Sequence, residues 1–186
     1  ETMASRFDIL HLPAPLRSGG WRPVLRRWGQ LLDEYASGRG SARDHAYWYG
    51  ERPLTGLLAA AAWSTRGGWA LEEFSSPRSG GVRRRIGRGD LWLGTGRGVF
   101  TVEAKIAWPS LSAAPGESCV TRQLAAAKRQ LRSLDGQYRC GRLVAVCFVV
   151  PHLTQAAVRR GAVTELMGDM PARLARDPYA VAVHRP

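Results

Sequence analysis

Glu103 and Lys105 stand one residue apart in an otherwise apolar stretch, VFTVEAKIAW, residues 99–108. Such a stretch reads as a β-strand. Alternation puts both charged side chains on one face and Val102, Ala104 and Ile106 on the other. A second acid, Asp90, lies upstream in VRRRIGRGDLWL, 82–93, and GTGRG, 94–98, reads as the turn between the two strands. Closing the hairpin with Leu93 against Val99 puts Asp90 opposite Val102, within one residue of Glu103. A bulge at the glycines would correct the offset. Asp90, Glu103 and Lys105 are therefore expected at one spot near the centre of a sheet. Two carboxylates that close repel each other unless a cation lies between them. Oxygens of Asp and Glu suit a hard ion such as Mg²⁺. A lysine beside that ion can orient or help deprotonate an attacking water, and can offset charge developing on a phosphate. The chemistry that fits is metal-assisted hydrolysis of a phosphodiester.

The lysine is informative in itself. Of 27 basic residues only Lys105 and Lys128 are lysine; the rest are arginine. A GC-rich genome would give the same bias. Arginine keeps its proton in proteins, however, whereas lysine can lose one.

The elements around the hairpin follow from periodicity. Val24, Leu25, Trp28, Leu31, Leu32 and Tyr35 fall at three-and-four spacing and predict a helix over Arg22–Ala36, with Pro23 in its first turn and SGRGS, 37–41, after its end. A second helical region runs from about Arg43 to Arg66, with a break at Gly50–Pro53, and GG at 67–68 closes it. WALEEF, 69–74, reads as a strand and SSPRSGG, 75–81, as a loop. After the hairpin, Leu124, Ala127, Leu131 and Leu134 mark an amphipathic helix over about Cys119–Leu134. RLVAVCFVV, 142–150, reads as a strand buried on both faces. Residues 154–176 look helical in pieces, and YAVAVHR, 179–185, reads as a last strand. A helix between the third and fourth strands implies a crossover and a parallel pair. The expected class is α/β: a three-layer sandwich with a mixed central β-sheet flanked by helices.

The pattern D-x12-E-x-K across a β-hairpin, preceded by an acid-bearing helix, resembles the PD-(D/E)XK nuclease superfamily. In GRGD, 87–90, glycine stands where the nominal motif has proline. The resemblance covers roughly residues 46–150 and implies a restriction-endonuclease-like fold and a Mg²⁺-dependent endonuclease, with Mn²⁺ as a substitute. It implies Asp90 and Glu103 as metal ligands, the main-chain carbonyl of Ala104 as a third, and Lys105 as the catalytic lysine. The family's first helix offers one more acid. Glu51 in YWYGERPLTGLLAAAAW is the best match and Glu73 in WALEEF the other candidate. An acid at a helix start is equally explained by the helix dipole. The helix after the E-x-K strand sometimes carries a polar residue lining the site; Gln123 and Lys128 occupy that helix, and Gln123 is the weak candidate.

Composition sets the outer bounds. The 186 residues suit one domain, divided here into an N-terminal segment and helix (1–42), a nuclease-like core (43–150) and a C-terminal helix and strand (151–186). A net charge of +12 favours a polyanionic partner, DNA before RNA, and Arg83, Arg84, Arg85 and Arg88 are candidate phosphate contacts or else a solvated edge. No apolar run reaches the ~18–20 residues of a membrane span, so no membrane partner is expected. No signal segment opens the chain, and Glu1 and Thr2 read as residues added ahead of Met3. Three cysteines without C-x-x-C spacing suggest reduced thiols and a cytoplasmic setting, with Cys147 a small apolar residue of its strand. HAYWY, 45–49, could stack bases but packs a helix onto the sheet in the simpler reading, and His45 near Glu51 is an auxiliary proton carrier at most. GTGRG lacks the lysine and following helix of a phosphate-cradling loop, and no Cys/His set suits zinc. The resemblance also allows a homodimer, since many nucleases of that kind pair up to cut both strands, and the compact chain, with no targeting domain of its own in view, leaves room for a partner protein that supplies specificity. The alternative to an enzyme is a non-catalytic nucleic-acid-binding or protein-interaction module that keeps this fold.

Overall fold

The computed structural model of the chain describes residues 6–38, 44–78, 85–110, 117–135, 139, 141–152 and 180–185, with single positions at 155, 159 and 171. Among them, β2 (Gly68–Arg78), β3 (Arg85–Thr95), β4 (Val99–Ala107) and β5 (Arg142–Val149) form a four-stranded sheet in that order. The first three are antiparallel neighbours, and β4 and β5 are parallel. The crossover between the parallel pair runs through α4 (Glu117–Ser133) and packs over both strands. The sheet is therefore mixed, as the element order predicts.

Two longer helices precede it. α2 (Trp21–Gly38) follows the short α1 (Ala14–Ser18), and a 3₁₀ turn over Ala46–Tyr49 leads into α3 (Glu51–Trp63). The expected break falls at Gly50, whose φ of +94° turns the chain just before the helix. Pro53 interrupts nothing, because the first helical turn has no intrahelical use for its missing N–H. α2 and α3 bury Val24, Leu54, Leu58 and Ala62 with Leu91, Leu93, Phe100, Val102 and Ala104 in one core. Val120, Ala127, Leu131 and Leu134 are buried outside that cluster, where α4 meets β4 and β5. This layering is consistent with the expected three-layer sandwich.

Two expectations need correction. Residues 75–78 belong to β2 and not to a loop: Ser75 pairs with Arg88 and Pro77 with Ile86. β2 is an outer strand, where proline costs no ladder bond on the open side. β5 is half-buried along most of its length, and Leu143 is exposed. It is the other outer strand, so an apolar run here does not mean burial on both faces. The expected last strand is present as β6 (Val181–Arg185), which pairs antiparallel with β1 (Arg6–His11) in a separate two-stranded sheet. His184 Nε2 of that small sheet meets Asp33 Oδ1 of α2 at 2.6 Å. The predicted helical pieces over 154–176 lie outside the described residues, apart from the single positions.

Candidate active site

The β3–β4 hairpin closes one residue tighter than the sequence suggests. Thr95 N–H donates to Gly98 O at 3.1 Å, leaving Gly96 and Arg97 as a two-residue turn. Gly96 has φ of +76°, as the first central position of such a turn requires. Gly94 therefore pairs with Val99, Leu93 with Phe100 and Leu91 with Val102. Continuing that register puts Asp90 level with Glu103, with no bulge needed. The ladder stops at Leu91, and the side chain of Asp90 takes over: Ala104 N–H donates to Asp90 Oδ2 at 2.7 Å.

Glu103 and Lys105 share a face, as alternation demands, while Val102 and Ala104 enter the core. Glu103 is only 2% exposed. Its Oε1 receives Lys105 Nζ at 3.2 Å, and its Oε2 is buried and accepts no hydrogen bond. Lys105 Nζ also lies 3.8 Å from Asp90 Oδ2 and 3.7 Å from Glu51 Oε1, and donates to the carbonyl of Ala104. Glu51 opens α3 directly after Gly50. Thus three carboxylates, from a helix start and two strands, surround one ammonium. The cation offsets a repulsion that the three acids would otherwise feel.

Burial pushes the Glu51 carboxyl above its ordinary range. Lys105 opposes that rise, Asp90 adds to it, and the Ile106 N–H opposes it. Burial outweighs the ammonium here, which keeps Glu51 open to protonation. Cys147 is level with Lys105 on β5, half-buried, with its thiol pushed up to about 12 by burial and then by Cys119 and Glu51. At neutral pH it stays protonated and unreactive.

Of the residues singled out in the sequence, Glu51, Asp90, Glu103, Ala104 and Lys105 come together. Glu73 does not join them. It points its carboxylate at Arg52 and Arg88, at 2.6 and 2.7 Å. Arg88 is thus engaged by an acid. Arg85 opens β3 opposite Arg78, and Arg83 and Arg84 lie outside the described residues. Gln123 is half-buried on α4 and makes no hydrogen bond to the cluster. The aromatic run divides: Ala46 is buried and Tyr47 half-buried, whereas Trp48 and Tyr49 are exposed. His45 stacks on Tyr47 with ring centroids 4.8 Å apart. Sequence reasoning missed Arg52. Its signal was its place beside Glu51 in the first turn of a helix.

The groups around Lys105 Nζ are carboxylate and carbonyl oxygens, the set a hard divalent ion prefers as ligands. Among the described residues no three Asp, Glu, His or Cys side chains stand at the spacing of a bound metal. The ammonium occupies the middle of the cluster and holds the acids apart on its own contact distances. Comparison with protein-family models, with curated proteins and with solved structures returns no match. Among the described residues no helix is long and apolar enough to cross a membrane.

Proposed function

We propose that this chain is a metal-dependent nuclease of the PD-(D/E)XK kind, hydrolysing phosphodiester bonds in DNA in preference to RNA. The observation that carries the reading is the convergence of Glu51, Asp90, Glu103 and the Ala104 carbonyl on the ammonium of Lys105. Asp90, Glu103 and the Ala104 carbonyl would hold Mg²⁺, with Mn²⁺ as a substitute. The ion would supply Lewis-acid stabilisation of charge on the phosphate. Lys105 orients the attacking water and offsets charge on the phosphoryl oxygens. Glu51, its carboxyl raised by burial, holds or accepts a proton beside that lysine. The net charge of +12 draws the polyanion in. Free Cys119 and Cys147 fit the reducing, cytoplasmic setting that belongs to this reading. A second copy or a partner protein would supply double-strand cutting or specificity.

The test is cleavage of supercoiled plasmid and of single-stranded DNA with Mg²⁺, Mn²⁺ or EDTA, beside Lys105→Arg and Asp90→Asn. Both variants keep charge balance or hydrogen bonding near the wild-type pattern. Each is expected to lose activity by about 10²-fold or more. Cleavage at the wild-type rate in both variants rejects the assignment. Salt-sensitive binding without turnover in any metal selects the non-catalytic module instead.

A further inference from the structure

Glu73 is the one non-glycine residue with positive φ among those described, at +49°. That region is unfavourable for a residue with a Cβ, and such a conformation persists only where its surroundings hold it. The β2–β3 ladder runs through Glu72↔Leu91 and resumes at Phe74↔Gly89, so Glu73 is level with Asp90 and skipped by the pairing. At this distorted position its two carboxylate oxygens take one guanidinium each. Arg52 Nη2 lies 2.6 Å from Oε1 and Arg88 Nη1 lies 2.7 Å from Oε2. Arg52 directly follows Glu51, and Arg88 precedes Asp90 by two residues. Both cations therefore flank the carboxylate cluster. Both are also largely exposed, at 78% and 68%, against 39% for Glu73.

Two guanidiniums converging on two oxygens of one anion is the geometry that recognises the non-bridging oxygens of a phosphodiester. Ion pairs this exposed contribute little to stability, so one anion can replace another at small cost. We infer that Arg52 and Arg88 form a clamp for a backbone phosphate next to the scissile one, and that Glu73 is its internal stand-in, displaced when nucleic acid binds. The inference rests on the nucleic-acid part of the proposed function and is independent of hydrolysis. It gives Glu73 a defined sign: the carboxylate competes with substrate.

The experiment is fluorescence anisotropy with a short labelled DNA duplex and the matching single strand, in EDTA at low salt, on the full chain. Glu73→Gln is expected to tighten binding by about two- to tenfold, the range for releasing two exposed ion pairs. Glu73→Gly, suited to positive φ, is expected to give the same gain while keeping the fold. Replacing Arg52 and Arg88 by Gln weakens binding and flattens the slope of log K against log salt by about 1–2. In that double variant Glu73→Gln gives no further gain. Glu34→Gln is the control, because Glu34 is likewise paired with an arginine, Arg27, at 2.6 Å on α2, and it is expected to change nothing. The clamp is rejected by unchanged or weaker binding in both Glu73 variants, or by a gain that persists without the arginines. Equal gain from Glu34→Gln, or absence of DNA binding in every variant, also rejects it. A parallel cleavage assay with Mg²⁺ separates the two readings. Cleavage without the Glu73 effect discards the clamp alone, and the Glu73 effect without cleavage discards hydrolysis alone.

Discussion

Lys105 meets three acids at once, and that makes variants here informative about stability as well as activity. Lys105→Ala removes the ammonium 3.2 Å from Glu103, a carboxylate only 2% exposed. Breaking a buried pair from one side is strongly destabilising, by about 3–5 kcal/mol when fully buried. A clear drop in Tm is therefore expected for Lys105→Ala, and little change for Lys105→Arg, by thermal melts. Asp90→Ala is not silent either: it strips the acceptor from the buried Ala104 N–H, at a cost of about 1–3 kcal/mol that Asp90→Asn avoids. Glu51 gives a pH prediction. Its folded pKa is raised above the unfolded value, so the folded state binds more protons in that window. Stability is lost as pH rises from the ordinary glutamate range, about 4.3, through the folded value. Glu51→Gln should raise Tm at neutral pH and lose that advantage below the window. A lower Tm for the variant at neutral pH, in melts across pH, would show that the Lys105 contact outweighs burial.

At the scale of elements, the hairpin decides the site. Thr95, Gly96 and Arg97 set its register, and the early end of the β3–β4 ladder frees the Asp90 side chain to take the Ala104 N–H. Gly89 matters for the same reason. A Cβ there would run into the ring of Phe74, which stacks on Trp92 with centroids 4.2 Å apart. Gly89→Ala is expected to cost about 1–3 kcal/mol in chemical denaturation, through overpacking next to Asp90. The β1–β6 pair meets α2 partly through another contact, His184 to Asp33. Asp33→Ala should lower amide-exchange protection over residues 181–185 while leaving β3 and β4 unchanged. Equal loss in both sheets would mean that the small sheet and the main one open as a unit.

For the whole molecule, the dominant quantity is charge. On the proposed function, a formal +12 on 186 residues would make binding to nucleic acid an ion-exchange process. If about 6–10 phosphates are neutralised, affinity should fall by about 10³–10⁵ between 50 and 200 mM salt. A flat salt response in anisotropy titrations would remove the electrostatic basis for a polyanionic partner.

Much of this was legible in residue order. Asp90, Glu103 and Lys105 could be picked out because strand alternation is a local rule and charged residues in an apolar strand violate it visibly. The mixed sheet followed from a helix lying between two strands, and the start of α3 from Gly50 and Glu51. Other features depend on contacts between segments far apart in sequence. The hairpin register was off by one, because a glycine-rich turn permits several closures and only the tertiary fit of Thr95 against Gly19 and Gly98 selects one. The exposure of β5 and the extension of β2 through Pro77 depend on which strands end up at the edges. Glu73 turns from a candidate acid into the partner of Arg52 and Arg88 only once β2, β3 and α3 are packed. The sequence by itself determined which chemistry was available. The tertiary structure decided which acids face the lysine, because that depends on where a helix start and two strand ends meet in space.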